Sequence, residues 1–493
     1  MTENVETKKN RIPSFFQDLN NIKGVQTAID RTHIARFTVD KAAIRRAIEA
    51  KNVAQLRGYS QYFFHASGEY RRLVEYFAKI LTFDYVVVPV TDDKSVKTPR
   101  YEKAFATILS YSNSAHIQET GRLIAHTVIK DGAFYGYERE LDGNYMLQQL
   151  PTTYCRSRFR IDGNYAVEFD FSFFDLYRTE EEKTLAFSSF PPEFEKMYSA
   201  YLKDRTLYRW QLLDSNFSRA HMMTDEVPML SSLFLDLMEL EDYKQIEKQR
   251  AAGAVDQIVV QEIPLDAEGN LTMELDEIKT IHDNAKGMLA GTTKRVLTTP
   301  AKMSTLDFKD SKAVVQDDVE NALKVVYASA GTPMVLFSSG AKSGSVGLEK
   351  SIEVDEAFMF ELLDQFQRWY ETRFRSLVSN NKNFSFDIIF PQITIFNRKK
   401  MFELYQAGAT FGFPTKLLSM AALGINQSEM EALLNYENNI LKLHETMIPV
   451  TSSHTQTGEE DEGGRPESKD PLSDEGQKTK DQDKNKNRAK GGA

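Results

Sequence analysis

From Leu348 to Leu377 the residues Leu348, Ile352, Met359, Leu363, Phe366, Tyr370, Phe374 and Leu377 keep a helical spacing without a break. About 30 residues of helix make a rod of roughly 45 Å, which any fold of this chain has to accommodate. The rod leaves a segment of opposite character. Ser338-Ser-Gly-Ala-Lys-Ser-Gly-Ser-Val-Gly347 is a ten-residue loop of small residues with one charge, Lys342.

Upstream of that loop, Leu230, Leu233, Phe234, Leu237 and Leu240 form one helical stripe. They predict a helix over Pro228–Ala252, with the proline in its first turn and Gly253 at its end. Asp236, Glu239, Glu241, Asp242 and Glu247 give it an acidic flank. A small β-α-β unit is expected next. Its strand is Gln257–Ile263, its helix carries Leu275, Ile278, Ile281, Ala285 and Met288 and closes at Gly291, and its second strand is Lys294–Thr299. A returning helix over Ala313–Ala330 stops at Gly331, before Pro333.

The first 220 residues read as mixed α and β. Asp40–Lys51, Glu69–Leu81 and Ser112–Lys130 have helical patterns, and Tyr85–Val90 is a short strand ending at a proline. Two near-identical turn tetrapeptides, Asp142-Gly-Asn-Tyr145 and Asp162-Gly-Asn-Tyr165, lie among Ala133–Glu140, Tyr145–Leu150, Tyr154–Arg160 and Tyr165–Phe171. These alternating runs predict a β-meander. After the rod, Phe384–Phe396 alternates as a strand, and Lys399–Ala409, Pro414–Leu423 and Gln427–Leu443 read as helices. Gly424 suits a cap, and Asn426 with Glu429 makes a capping box. From Thr451 to Ala493 there is no Phe, Tyr, Trp, Ile or Val, so a disordered tail is expected.

Charge and cysteine content exclude several function classes. The 61 Lys and Arg against 71 Asp and Glu leave −10, which rules out a whole-protein basic footprint for nucleic acid. The tail, with 10 acidic and 8 basic residues, leaves −8 on the body. Cys155 is the one cysteine, so no intrachain disulfide and no Cys-based metal cluster is possible. The polar stretch Met1 to Arg11 lacks a signal-peptide core. The longest apolar runs, Tyr85–Val90 and Met334–Phe337, are too short to span a bilayer, so a soluble chain is expected.

The search for catalytic motifs is negative. There is no His-Glu-x-x-His and no Gly-x-Ser-x-Gly, and the eight histidines are scattered. Gly340-Ala-Lys-Ser-Gly344 lies between an apolar run and a helix, as a phosphate loop would. Its lysine follows Ala341 instead of the last glycine, and the glycine spacing is wrong. Flexibility is the better reading of that loop. Arg156, Arg158 and Arg160 alternate on one strand face and suit either phosphate or a solvated or salt-bridged face; Lys294, Arg295 and Lys302 form a second basic patch on the insert, either an interface or a solvated face.

This order of elements, with Val335–Gly347 running into Leu348–Trp369, resembles the portal proteins of tailed bacteriophages over about residues 40–450. Ile393-Thr-Ile-Phe-Asn397 and the acidic, Gly- and Lys-rich tail are similar to siphovirus-type portals. The resemblance implies an α+β, helix-rich portal-like fold with wing, stem, clip and crown regions plus the disordered tail. It divides the chain into a wing region (1–220), a stem helix (221–254), a clip (255–306), a second stem helix (307–333) and a tunnel loop (334–347). A long helix with a wing strand (348–398), a helical crown (399–450) and the tail (451–493) follow.

It further implies a homododecameric ring in the virion, at one capsid vertex, assembled in the host cytoplasm. Double-stranded DNA would pass through its channel during packaging and ejection. The DNA-facing residues would be Ser338, Ser339, Gly340, Lys342, Ser343 and Gly344, and the docking residues Lys294, Arg295 and Lys302. Partners would be the terminase large subunit, a head–tail adaptor, and the major capsid and scaffold proteins, with no membrane, metal or cofactor and no catalytic residue. The competing readings are a nucleotide-binding enzyme using the 340–344 loop and a monomeric adaptor protein.

Overall fold

A computed structural model describes residues 39–91, 96, 98–141, 144–223, 226–255, 258–266, 271–288, 295–299, 312–333, 336–337, 345–378 and 384–443. The first described helix, α1 (Lys41–Glu49), begins where Asp40 Oδ1 accepts from the Ala43 amide at 2.7 Å. Helices α2 (Val53–Ala66) and α3 (Gly68–Ile80) follow, each with a polar N-cap, Asn52 and Ser67. Strand β1 (Val86–Thr91) runs on through Pro89 instead of ending there; it has a single strand partner, so the missing N–H of Pro89 can lie on the open edge.

The helical pattern expected over Ser112–Lys130 is two helices, α4 (Pro99–Ser114) and α5 (Ile117–Asp131). Ala115 closes the first, and His116 breaks the run at φ 43°, in the left-handed region. Gly132 ends α5 at φ 86°. A Cβ there would lie 2.4 Å from the Glu226 carbonyl, so this turn requires glycine.

The expected meander is three small sheets. Strands β2 (Ala133–Leu141) and β3 (Asn144–Gln149) form a hairpin. β4 (Cys155–Arg156), β5 (Arg160–Ile161), β6 (Asn164–Tyr165) and β7 (Glu168–Asp170) are short. Asp162 and Gly163, both at positive φ (49° and 80°), join β5 to β6 in the tight turn their sequence predicts. Helices α6 (Glu180–Ser188) and α7 (Pro192–Lys203) come next, then β8 (Trp210–Leu212) and β9 (Ser218–Met222). The sheet orders are β3-β2-β9 and β4-β7-β8, so β9 returns to pair with β2, Ala133 opposite Met222.

Strand β2 separates two cores. Ala133, Tyr135 and Tyr137 face a cluster rich in phenylalanine, with Phe169, Phe171, Phe173, Phe174, Phe190 and Phe194. Phe134 faces the larger core, built from α2, α3, α5 and the long helix. Glu138 lies on the Phe134 side of the strand and is buried there.

Pro228 precedes a 3₁₀ turn at Ser231–Leu233; the expected stem helix starts later, as α8 (Phe234–Val255), and continues through Gly253. The insert is β10 (Ile258–Glu262), α9 (Leu275–Met288) and β11 (Arg295–Thr299), the two strands parallel with Ile258 opposite Arg295. Helix α10 (Lys312–Ser329) ends just before Gly331. The long helix, α11, spans Ser345–Leu377, 33 residues, so Ser345, Val346 and Gly347 belong to it and not to the loop. Strand β12 (Phe384–Ile389) pairs with β1 and stops there; the alternation expected to carry it to Phe396 gives way before Pro391. Helices α12 (Arg398–Thr410), α13 (Lys416–Ala422) and α14 (Gln427–Asn435) follow. The Asn426–Glu429 capping box is present in both directions, at 3.2 and 2.9 Å, and Gly424 N donates to Ala421 O at the end of α13. The helix expected to reach Leu443 turns into a π-helical segment at Tyr436–Ile440. A second compact unit begins at Leu433. The fold is therefore α+β and helix-rich. The tail from Thr451 lies outside the described residues.

Candidate functional site

The insert hangs on two helices that are rooted at one end. Leu233, Phe234, Leu237 and Leu240 are buried in the large core, whereas from Glu241 to Lys248 no residue is buried. The returning helix α10 mirrors this: between Val319 and Val325 nothing is buried, and Val326 and Tyr327 then enter the core. Helices α8 and α10 pack on one another along the way. Two ion pairs brace the root of α8, Lys244 to Glu69 at 2.8 Å and Lys41 to Asp242 at 2.8 Å.

The helix of the insert, α9, packs against β11 yet contributes no buried side chain. Leu275 is 76% exposed and Met288 86%. Of the expected docking residues, Arg295 opens β11, while its side chain, Lys294 and Lys302 lie outside the described residues.

Ser338, Ser339, Gly340, Lys342, Ser343 and Gly344 also lie outside the described residues. Their two flanks are described, and one tyrosine ties both. On the upstream flank the Phe337 ring stacks on Tyr327 at 4.8 Å and meets Tyr76 edge-on at 5.4 Å. Arg72 donates to the Phe337 carbonyl at 3.0 Å and lies over its ring. On the downstream flank the Tyr76 hydroxyl donates to Asp355 Oδ2, on α11, at 2.8 Å. The next residue, Glu356, accepts from the Thr394 hydroxyl. Burial, with a smaller addition from Glu356, pushes the Asp355 carboxyl up to about 6, against the opposing Tyr76 hydrogen bond. Burial and Asp355 push the Tyr76 phenol well up.

Sequence reasoning missed this anchor. Arg72 and Tyr76 are four apart and share a face of α3, but nothing local connects them to Phe337 or Asp355, more than 260 residues away.

The expected strand carrying Arg156, Arg158 and Arg160 is broken, with Arg156 ending β4, Arg160 opening β5 and Arg158 between them, so the three do not share a strand face. Arg158 binds Glu168 through two bonds of 2.7 and 2.6 Å, and Arg156 adds one of 3.1 Å while stacking on Trp210. Arg158, then Arg156, hold the Glu168 carboxyl below its ordinary range. Arg160 covers the Tyr165 ring. Arg156 and Arg158 are thus salt-bridged to Glu168, while the exposed Arg160 donates to the Tyr165 hydroxyl.

Cys155 is buried, and burial pushes its thiol well up, so it is a poor nucleophile. His221 stacks on Phe366 at 4.3 Å; burial and the neighbouring Arg219 push its imidazole well down, so it is neutral. Among the described residues no three His, Cys, Asp or Glu are grouped to hold a metal ion, and no helix is long and apolar enough to cross a membrane.

No family model matches the chain, and a search of curated proteins finds no match.

Proposed function

We propose that the chain is the ring-forming portal subunit of a tailed phage, a conduit for double-stranded DNA with no reaction of its own. The observation that carries this reading is the rooted helix pair with its insert. Helices α8 and α10 have one end in the core and carry a parallel β-α-β unit whose helix buries nothing of its own. Such a unit gains most when the apolar residues left open, Leu275, Ile281 and Met288, are covered by neighbouring copies or by a docked partner. The 33-residue α11 and the anchored flanks of the 338–344 segment fit the same reading: small residues crowd easily around an axis, and glycine permits rearrangement.

Charge agrees with sliding DNA. Each neutralised phosphate adds counterion-release affinity, so a channel that must let DNA move is better acidic or neutral, with a few lysines such as Lys342. In this reading 255–306 docks first the terminase motor and then the head–tail adaptor, through Lys294, Arg295 and Lys302, and capsid and scaffold proteins surround the ring at the virion vertex.

The test is the solution mass by light scattering, with negative-stain imaging of the same sample. Rings with a central hole are expected. A chain that stays monomeric at high concentration, with capsid and scaffold protein present, overturns the proposal. Charge reversal at Lys294 and Arg295 is expected to weaken motor and adaptor binding while rings still form.

A further inference from the structure

A cavity of about 440 Å³ lies between α4, the β2–β3 hairpin and the C-terminal part of α11. Its volume is in the range that holds a small organic molecule. At its floor the buried Glu138 carboxylate accepts from the Tyr111 hydroxyl at 2.8 Å, the Tyr145 hydroxyl at 2.5 Å and Arg373 Nε at 3.1 Å. Arg219, fully buried behind it, is 3.7 Å from the same carboxylate. Arg219 rests against the rings of Phe366, Trp369 and Tyr370, and its Nη2 has no hydrogen-bond partner among the described residues. Two guanidinium groups therefore share one carboxylate in a place where unpaired charge is costly.

The walls add to the imbalance. Lys103 and Arg373 stand at the cavity with Arg219 behind them, three cations against Glu138, which is the one acid lining it among the described residues; Arg139 lines the cavity too but has other partners. Arg139 is fixed there by its bond to the Ser189 carbonyl at 3.0 Å. One face of α4 presents the hydroxyls of Thr107, Ser110 and Ser114, at intervals of three and four residues; that of Thr107 already donates to the Lys103 carbonyl at 2.9 Å, so Ser110 and Ser114 are the donors. Another cavity, about 420 Å³, provides a contrast: Glu119 and Glu429 there face Arg122, with no cationic excess.

Cations backed by hydroxyl donors, around a space of this size, suit a compact oxyanion. We infer that this cavity binds a small phosphomonoester, its phosphate held near Lys103 and Arg373 and its polar remainder along the hydroxyl face of α4. The inference does not depend on the ring reading, because every residue in it belongs to one chain.

The experiment uses the full chain, with inorganic phosphate, glucose 6-phosphate and adenosine 5′-monophosphate as probes, and glucose and adenosine as their phosphate-free counterparts. Titration calorimetry and thermal melts are run at matched ionic strength in chloride. The phosphate-bearing probes are expected to bind saturably and raise the melting temperature, and the phosphate-free ones to do neither. Lys103 is exposed, so Lys103→Glu is expected to fold and melt as the parent while weakening phosphate binding at least tenfold. Ser110→Ala, also at an exposed site, is expected to weaken glucose 6-phosphate more than inorganic phosphate. No saturable response to any probe, equal binding of the phosphate-free compounds, or unchanged affinity in Lys103→Glu overturns the inference.

Discussion

The body and the insert of this protein are built on opposite terms. In the body, Phe169, Phe171, Phe173, Phe174, Phe190 and Phe194 meet one another within a single aromatic cluster, and even charged groups such as Glu138, Arg219 and Arg373 are buried against one another. In the insert, a 14-residue helix with a clear apolar stripe buries nothing. The same amphipathic signal thus has two outcomes. Where the chain supplies the covering surface, the stripe makes a core. Where it does not, the stripe stays exposed.

The first way to break the comparison is to remove the charge at the centre of the body. Glu138→Ala leaves Arg219 and Arg373 buried without their carboxylate. Urea unfolding is expected to show a loss of about 3–5 kcal/mol. A loss below about 1 kcal/mol would mean that the body tolerates what only the insert should tolerate.

The second prediction concerns Asp355, on α11, where Tyr76 holds it. Its folded value, about 6, lies above the ordinary 3.8, so its contribution to stability is fully present below about 3.8 and is lost as pH rises through about 6. Asp355→Asn keeps an acceptor for Tyr76 and removes the buried charge. It is expected to raise stability at pH 7.5 by about 1–3 kcal/mol and to flatten the pH dependence between 4 and 6.5. Melting curves across that range check both.

The smallest effect on the fold is expected in the insert. Leu275→Ser with Met288→Ser should change subunit unfolding by less than about 0.5 kcal/mol, because both side chains are exposed. The same pair should reduce oligomer formation in light scattering. If it instead destabilises the isolated subunit strongly, the insert has a core of its own and the contrast with the body fails.

What was legible in the sequence was local. The stripe of Leu348–Leu377, the Asp162-Gly163 turn, the Asn426–Glu429 box and the β-α-β order each rest on residues within a few turns of one another. What was not legible depends on distant partners. Strand β9 joins β2 from some 80 residues away, which dismantles the expected meander. His116 splits one helical pattern in two through a single left-handed residue that no periodicity marks. Glu138, Arg219 and Arg373 carry ordinary polar identities in strand and helix patterns; only the packing of α11 on β9 brings them together. Around the candidate sites, the β-α-β order of the insert was legible, but not Arg72, Tyr76 and Asp355, which anchor the flanks of 338–344, nor the cavity beside α4.

Strand β2, with one face in each core, has a further consequence. It has no outer side along which one core could loosen while the other stays shut. Opening the aromatic cluster would strip Tyr135 and Tyr137 of their cover, and opening the larger core would do the same to Phe134 and to the Glu138 ion pairs. The two cores are thus one cooperative unit, and the amides of Phe134 to Tyr137, which are bonded on both sides by β3 and β9 or buried between them, should exchange with solvent only through the global event. Local opening, with its faster exchange, is left to α9 and the exposed stretches of α8 and α10.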